Sequence, residues 1–128
     1  MIRLTMALAA AATLLAAPAF AGPAPAGIKM VEGGGKSWGR TAAGDMPVYT
    51  FDKDTPGKSN CNDKCAAAWP PVAAKADDAA VGDWSVIKRD DGSAQWAVKG
   101  KPVYTFAKDT AGKATGDGMG GVWHLVAE

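Results

Sequence analysis

Histidine is almost missing from this 128-residue chain, which has only His124, and cysteine occurs only twice. Serine is scarce too, so general bases that titrate near neutrality are few. No G-x-S-x-G, H-E-x-x-H or C-x-x-C-H pattern is present, which leaves out the usual serine-hydrolase, zinc-peptidase and haem-attachment signatures. Aspartate pairs could serve as acid and base, but no spacing singles one out. Asp52-x-Asp54 near Gly57 lacks the third acidic position and the terminal Glu of a calcium loop, and Ala107 breaks the pattern at the matching place downstream. Gly33-Gly34-Gly35 lacks the Lys-Ser/Thr of a phosphate loop and reads as a turn. An excess of one charge is also missing: 14 basic residues face 13 acidic ones, without clusters. That balance argues against nucleic acid or an anionic membrane surface as partner.

Long apolar runs are absent beyond the N-terminus. Arg3, the apolar run Met6–Ala17 and Ala19-Phe20-Ala21 read as a secretory signal peptide over residues 1–21. The run is too short to span a bilayer, and Gly22-Pro23 follows it, so no membrane insertion is expected after cleavage. The remainder suits one small domain with a modest core. The expected location is periplasmic or secreted.

What is present in strength is a repeat. Pro47-Val48-Tyr49-Thr50-Phe51-Asp52-Lys53-Asp54-Thr55-Pro56-Gly57-Lys58 returns 55 positions later as Pro102 to Lys113, differing only at Asp52/Ala107 and Pro56/Ala111. Alternating β-branched and aromatic residues predict a strand in each copy. Tyr49 and Phe51 share one face, as do Tyr104 and Phe106. Thr55-Pro56-Gly57-Lys58 fits a type II turn, and Gly112 keeps that turn possible in the second copy. Asp54 and Asp109 stand where a carboxylate can accept backbone N–H bonds and lock the turn.

These Tyr-x-Phe-x-x-Asp stretches resemble those of a family of small exported bacterial proteins and lipoproteins with a Yx(F/W/Y)xxD repeat of unknown function. Cys61-Asn62-Asp63-Lys64-Cys65, Trp69-Pro70-Pro71 and Gly121-Val122-Trp123-His124-Leu125 add to the likeness, which covers nearly all the chain after residue 27. The resemblance implies export and a repeat architecture, and brings no activity. No Cys stands at the cleavage point, a departure from the lipoprotein members that favours a soluble product.

The expected organisation is a signal peptide (1–21), a flexible leader (22–27) and a single β domain (28–128). Within the domain, repeat one spans 28–72, a linker 73–82 and repeat two 83–128. Strands are expected at Ile28–Val31, Lys36–Thr41, Val48–Phe51, Trp84–Lys88, Gln95–Val98, Val103–Phe106 and Val122–Val126. Asp90-Asp91-Gly92-Ser93 and Lys99-Gly100 read as turns, and Ala114–Gly121 as a loop. A short helix is expected at Cys61–Ala68, with Asn60 as N-cap and Pro70 as stop. The fold class is therefore mainly β, two related meanders about a pseudo-twofold with one short helix.

Five tryptophans, Trp38, Trp69, Trp84, Trp96 and Trp123, are either core pieces or an aromatic binding face. Cys61 and Cys65, the sole possible pair, read as a local disulfide staple in an oxidising compartment. The alternative is a copper or thiol-redox site of Cys61, Cys65 and His124, since thiolate and imidazole suit copper. No thioredoxin-like strand-helix-strand context surrounds the cysteines. The function expected is a non-enzymatic binding or interaction module without cofactor, acting on an envelope protein or small ligand.

Overall fold

Most strands form where β-branched and aromatic residues recur, and most end where glycine or a polar turn interrupts. The computed structural model describes residues 24–127. β1 (Ile28–Gly33) and β2 (Lys36–Thr41) make an antiparallel ribbon, turned by Gly34 and Gly35 at positive φ. β3 (Tyr49–Phe51) precedes α1 (Lys64–Ala68). β4 (Trp84–Lys88), β5 (Ala94–Val98) and β6 (Lys101–Tyr104) form a meander, and a 3-10 turn (Met119–Gly121) leads into β7 (Trp123–Leu125). The larger sheet has the order β4-β5-β6-β3-β7, with every neighbouring pair antiparallel. Bridges Trp38–Ala127 and Arg40–Pro47 seat the ribbon against it.

The fold is mainly β with one short helix, and its two halves are related as the repeat predicts. β3 and β6 lie side by side at the centre, with Tyr49 opposite Tyr104. Around them the hydrogen bonds come in matched pairs. Asp52 N–H donates to Val122 O (2.8 Å) as Ala107 N–H donates to Ala68 O (2.9 Å). Val126 N–H donates to Val48 O (2.8 Å) as Val72 N–H donates to Val103 O (3.0 Å). The repeated turns cross between halves too: Gly57 N–H donates to Gly100 O and Gly112 N–H to Asp45 O, both at 2.8 Å. These relations define a pseudo-twofold axis between β3 and β6.

Alternation on the central strands creates two cores. Val48 and Val103 join Ile28, Trp84, Trp96 and Val126 in one. Tyr49 and Tyr104 join Cys61, Trp69, Phe106 and Trp123 in the other. Trp38 alone among the tryptophans stays half-exposed, on β2, where its Nε1 donates to Gly33 O (3.1 Å).

Several expected boundaries shift. The helix is shorter than Cys61–Ala68, spanning Lys64–Ala68, and Asn60 does not cap it. The Asn60 side chain donates to Lys53 O (2.8 Å) and its N–H to Asp54 Oδ1 (2.7 Å), so the residue closes the repeat turn instead. The strand expected to reach Phe106 ends at Tyr104, because the backbone beyond it pairs with residues 68–70. The signal-peptide reading of 1–21, residues Gly22 and Pro23 of the leader, and Glu128 lie outside the described residues.

Candidate functional site

The six motif residues do meet, in the interior and in exchanged pairs. Tyr49 donates its phenol hydrogen to Asp109 Oδ2 and Tyr104 to Asp54 Oδ2, both at 2.6 Å. Each tyrosine thus reaches the aspartate of the other copy. The second carboxylate oxygen performs the predicted turn lock: Asp54 Oδ1 accepts from Asn60 N–H, and Asp109 Oδ1 from Thr115 N–H (2.8 Å) and hydroxyl (2.6 Å). Burial raises both phenols well above the usual tyrosine range, and the carboxylate each one faces raises them further. Burial also raises Asp54, opposed by its bonds from Tyr104 and Asn60 and by the charge of Arg89.

Between the locks lies an aromatic stack. Trp69 and Trp123 face each other at 3.8 Å and 5° across the axis. Phe106 stacks on the outer face of Trp69 (4.1 Å) and Phe51 on that of Trp123 (4.2 Å). Tyr49 meets Trp69 edge-on at 5.2 Å and Tyr104 meets Trp123 at 5.3 Å. Such contacts are worth about 0.5–1.5 kcal/mol each beyond the area they bury. Four of the five tryptophans are core pieces, at 5 % exposure or less.

Sequence reasoning missed the polar core beside this stack. Arg89 is 6 % exposed. Its Nη1 donates to Gln95 Oε1 (2.8 Å) and Ser59 Oγ (3.0 Å), and its Nη2 to Cys61 O (2.6 Å) and Asn62 Oδ1 (3.3 Å). Ser59 Oγ also accepts from Cys61 N–H (3.3 Å) and stands 2.5 Å from Tyr104 Oη. The phenol hydrogen goes to Asp54, so the serine hydrogen goes to the phenol. A chain of donors therefore runs from the Arg89 cation through Ser59 and Tyr104 to the Asp54 carboxylate, so the buried cation makes four hydrogen bonds and is connected to an anion. No local pattern announced this, because Arg89 lies next to a polar turn and its partners Ser59, Cys61 and Asn62 lie 30, 28 and 27 positions away.

Cys61 and Cys65 form a disulfide (S–S 2.05 Å) at the start of α1. His124 is placed apart from them on β7, where its Nε2 stands 2.7 Å from Asp52 Oδ2 on the exposed surface. Among the described residues, no three His, Cys, Asp or Glu side chains gather in a metal-ligating cluster. The bridge has no twin, for a physical reason. Gly116 matches Cys61 under the 55-residue shift. A Cβ there would meet Trp69 Cη2 at 2.6 Å, and Gly116 N–H donates to Tyr49 Oη (3.1 Å).

With the repeated residues engaged internally, the candidate site lies where the copies diverge on the surface. Asp52 is matched by Ala107 under the 55-residue shift, so the Asp52–His124 pair has no counterpart across the axis. Thr50 lies opposite His124 in the β3–β7 register, on the same face as Asp52. Two hollows of about 270 and 250 Å³ share Thr50, Asp52, Lys99 and Lys101. The face offers a carboxylate, an imidazole, a hydroxyl and lysine cations. These groups suit polar recognition.

The family model for a secreted repeat of unknown function matches residues 40–73 and 85–127, together more than half of the chain. The chain belongs to that family. The two matched segments carry the two Tyr-Asp halves of the exchanged locks, so in this protein the family's repeat unit completes itself only against its second copy. No curated protein and no solved structure matches the chain. Among the described residues no helix is long and apolar enough to cross a membrane.

Proposed function

We propose that this secreted-repeat protein is a non-catalytic interaction module of the periplasm or the extracellular space. It engages an envelope protein or small ligand through the polar face around Asp52 and His124. The observation that carries the reading is the selective divergence of the copies. The Tyr, Phe and Asp residues exchanged between the halves are kept in both, whereas Asp52 changes to Ala107 and leaves one exposed Asp–His pair among lysines. An internal lock needs its residues twice, and a surface serving one partner needs them once.

The test compares retention from an envelope extract on immobilised wild type and on the Asp52→Ala/His124→Ala variant. Both residues are about half exposed, so the variant is expected to melt with the wild type. A component retained by wild type and released by the variant supports the reading. Equal retention on both, or none on either, overturns it. Export predicts a mature N-terminus at Gly22 without lipid, read by mass spectrometry of the natively secreted protein.

A further inference from the structure

A different part of the molecule carries a second inference, which shares no residue with the Asp52–His124 face. The segment joining the two halves folds back beside the start of the described chain. Between them lies a cleft of about 630 Å³, lined by Pro25, Gly27, Ala74, Ala79, Val81 and Trp96. The volume falls within the range of small-molecule sites, and the walls are apolar, as in most such sites.

Trp96 supplies the feature that points to a ligand. Its ring is buried at 4 % exposure in the core beneath β5. Its indole nitrogen has no acceptor among the described residues, as holds for Trp69, Trp84 and Trp123, and of these four only Trp96 lines the cleft. The nitrogen lies at the cleft wall, since a Cβ built on Gly27, which also lines the cleft, would stand 4.0 Å from it. Indole N–H groups at buried positions usually find a partner, so this one is a donor left available inside an apolar cleft.

The rim decides the charge of the ligand. Lys75 and Asp78 both contribute to the lining, and Asp78 Oδ2 accepts the Lys75 backbone N–H at 2.8 Å. One cation and one anion favour neither sign of ligand. We propose that the cleft binds an uncharged apolar molecule carrying a carbonyl group. Its apolar part packs on Ala74, Ala79 and Val81, and its carbonyl oxygen accepts from Trp96 Nε1.

The experiment follows the indole N–H signals of the isotope-labelled mature protein by NMR while N-acetyl-leucine amide is added. N-acetyl-leucine, its carboxylate counterpart, serves as the charged control. The Trp96 signal, identified by its loss in Trp96→Phe, is expected to move and saturate in the millimolar range with the amide. Trp96→Phe removes the donor and should weaken binding roughly tenfold, the worth of one hydrogen bond in an apolar site. Ala79→Phe changes an exposed wall residue, leaves the core untouched, and should abolish binding by filling the cleft. The proposal is overturned by a Trp96 signal that stays still, by unsaturable movement of all five indole signals together, or by tighter binding of the carboxylate. Unchanged binding in Ala79→Phe overturns it as well.

Discussion

Asp109 is 7 % exposed and accepts three hydrogen bonds, whereas Asp54 is half-buried and accepts two. Removing either carboxylate leaves a phenol and a backbone N–H without their acceptor. Asp54→Ala and Asp109→Ala should each cost about 1–3 kcal/mol, the range for a buried donor left unsatisfied. The Asp109 variant should lose more, and the Asn variants should lose less. Urea titration measures all four, and an Asp109→Ala protein as stable as wild type would contradict the lock. The phenols give an independent readout at alkaline pH. The protein has two tyrosines, and both hold their proton above the ordinary value of 10.0 when folded. The unfolded chain releases those protons first. Their contribution to stability is therefore complete below pH 10.0 and is lost as pH rises beyond it. Tyrosinate absorbance of the native protein should stay flat through pH 10.0, then rise together with loss of the near-ultraviolet circular dichroism. A simple native titration centred on the ordinary value would show that the phenols are free.

The elements most legible in the sequence were those specified locally. Trp84–Lys88 forms a strand with the expected bounds, because its apolar residues are flanked by turn signals on both sides. Lys99 and Gly100 take φ of 50° and 78°, as a two-residue hairpin of this hand requires. The expected helix failed at its start, where a contact six residues back in sequence claims Asn60 before it can cap anything. The role of Arg89 was invisible for the same reason on a larger scale, since its partners Ser59 and Cys61 lie 30 and 28 positions away. The Asp52–His124 pair was equally hidden: the two residues lie 72 positions apart, and only the β3–β7 register brings them together. α1 presents the case for a staple. A five-residue helix is too short to be stable by itself. The Cys61–Cys65 bridge adds about 2 kcal/mol by the loop-entropy estimate. Protein isolated without reductant should show no free thiol and take up no stoichiometric copper, because a bridged sulfur is not a thiolate. Reduction should lower the melting temperature by a few degrees and keep the fold. Thiol counting and metal titration before and after reduction decide it, and tight copper binding abolished by His124→Ala would favour the copper site instead.

At the scale of the whole molecule, neither half can satisfy its own polar interior. Tyr49 needs Asp109, Tyr104 needs Asp54, and Trp69 and Trp123 cover each other. A chain cut between Ala76 and Asp77, both exposed, should yield two fragments that are unfolded alone. Mixed at equal concentration, they should recover the native aromatic circular dichroism. Cooperative unfolding of either fragment by itself would refute this dependence. The repeat was plain from the sequence, and the need of each copy for the other was not, because a 55-residue shift reveals likeness without revealing which copy supplies the partner. The exchange of identical contacts across the axis is the pattern of an isologous dimer interface, here fused into one polypeptide. The tether converts an encounter between two chains into an intramolecular one, at an effective concentration in the millimolar range. A tether cut too short to span the halves leaves every contact still available, but only between molecules. Deleting most of residues 74–80 should therefore give a domain-swapped dimer of doubled solution mass, with both Tyr–Asp locks and the aromatic stack rebuilt from two chains.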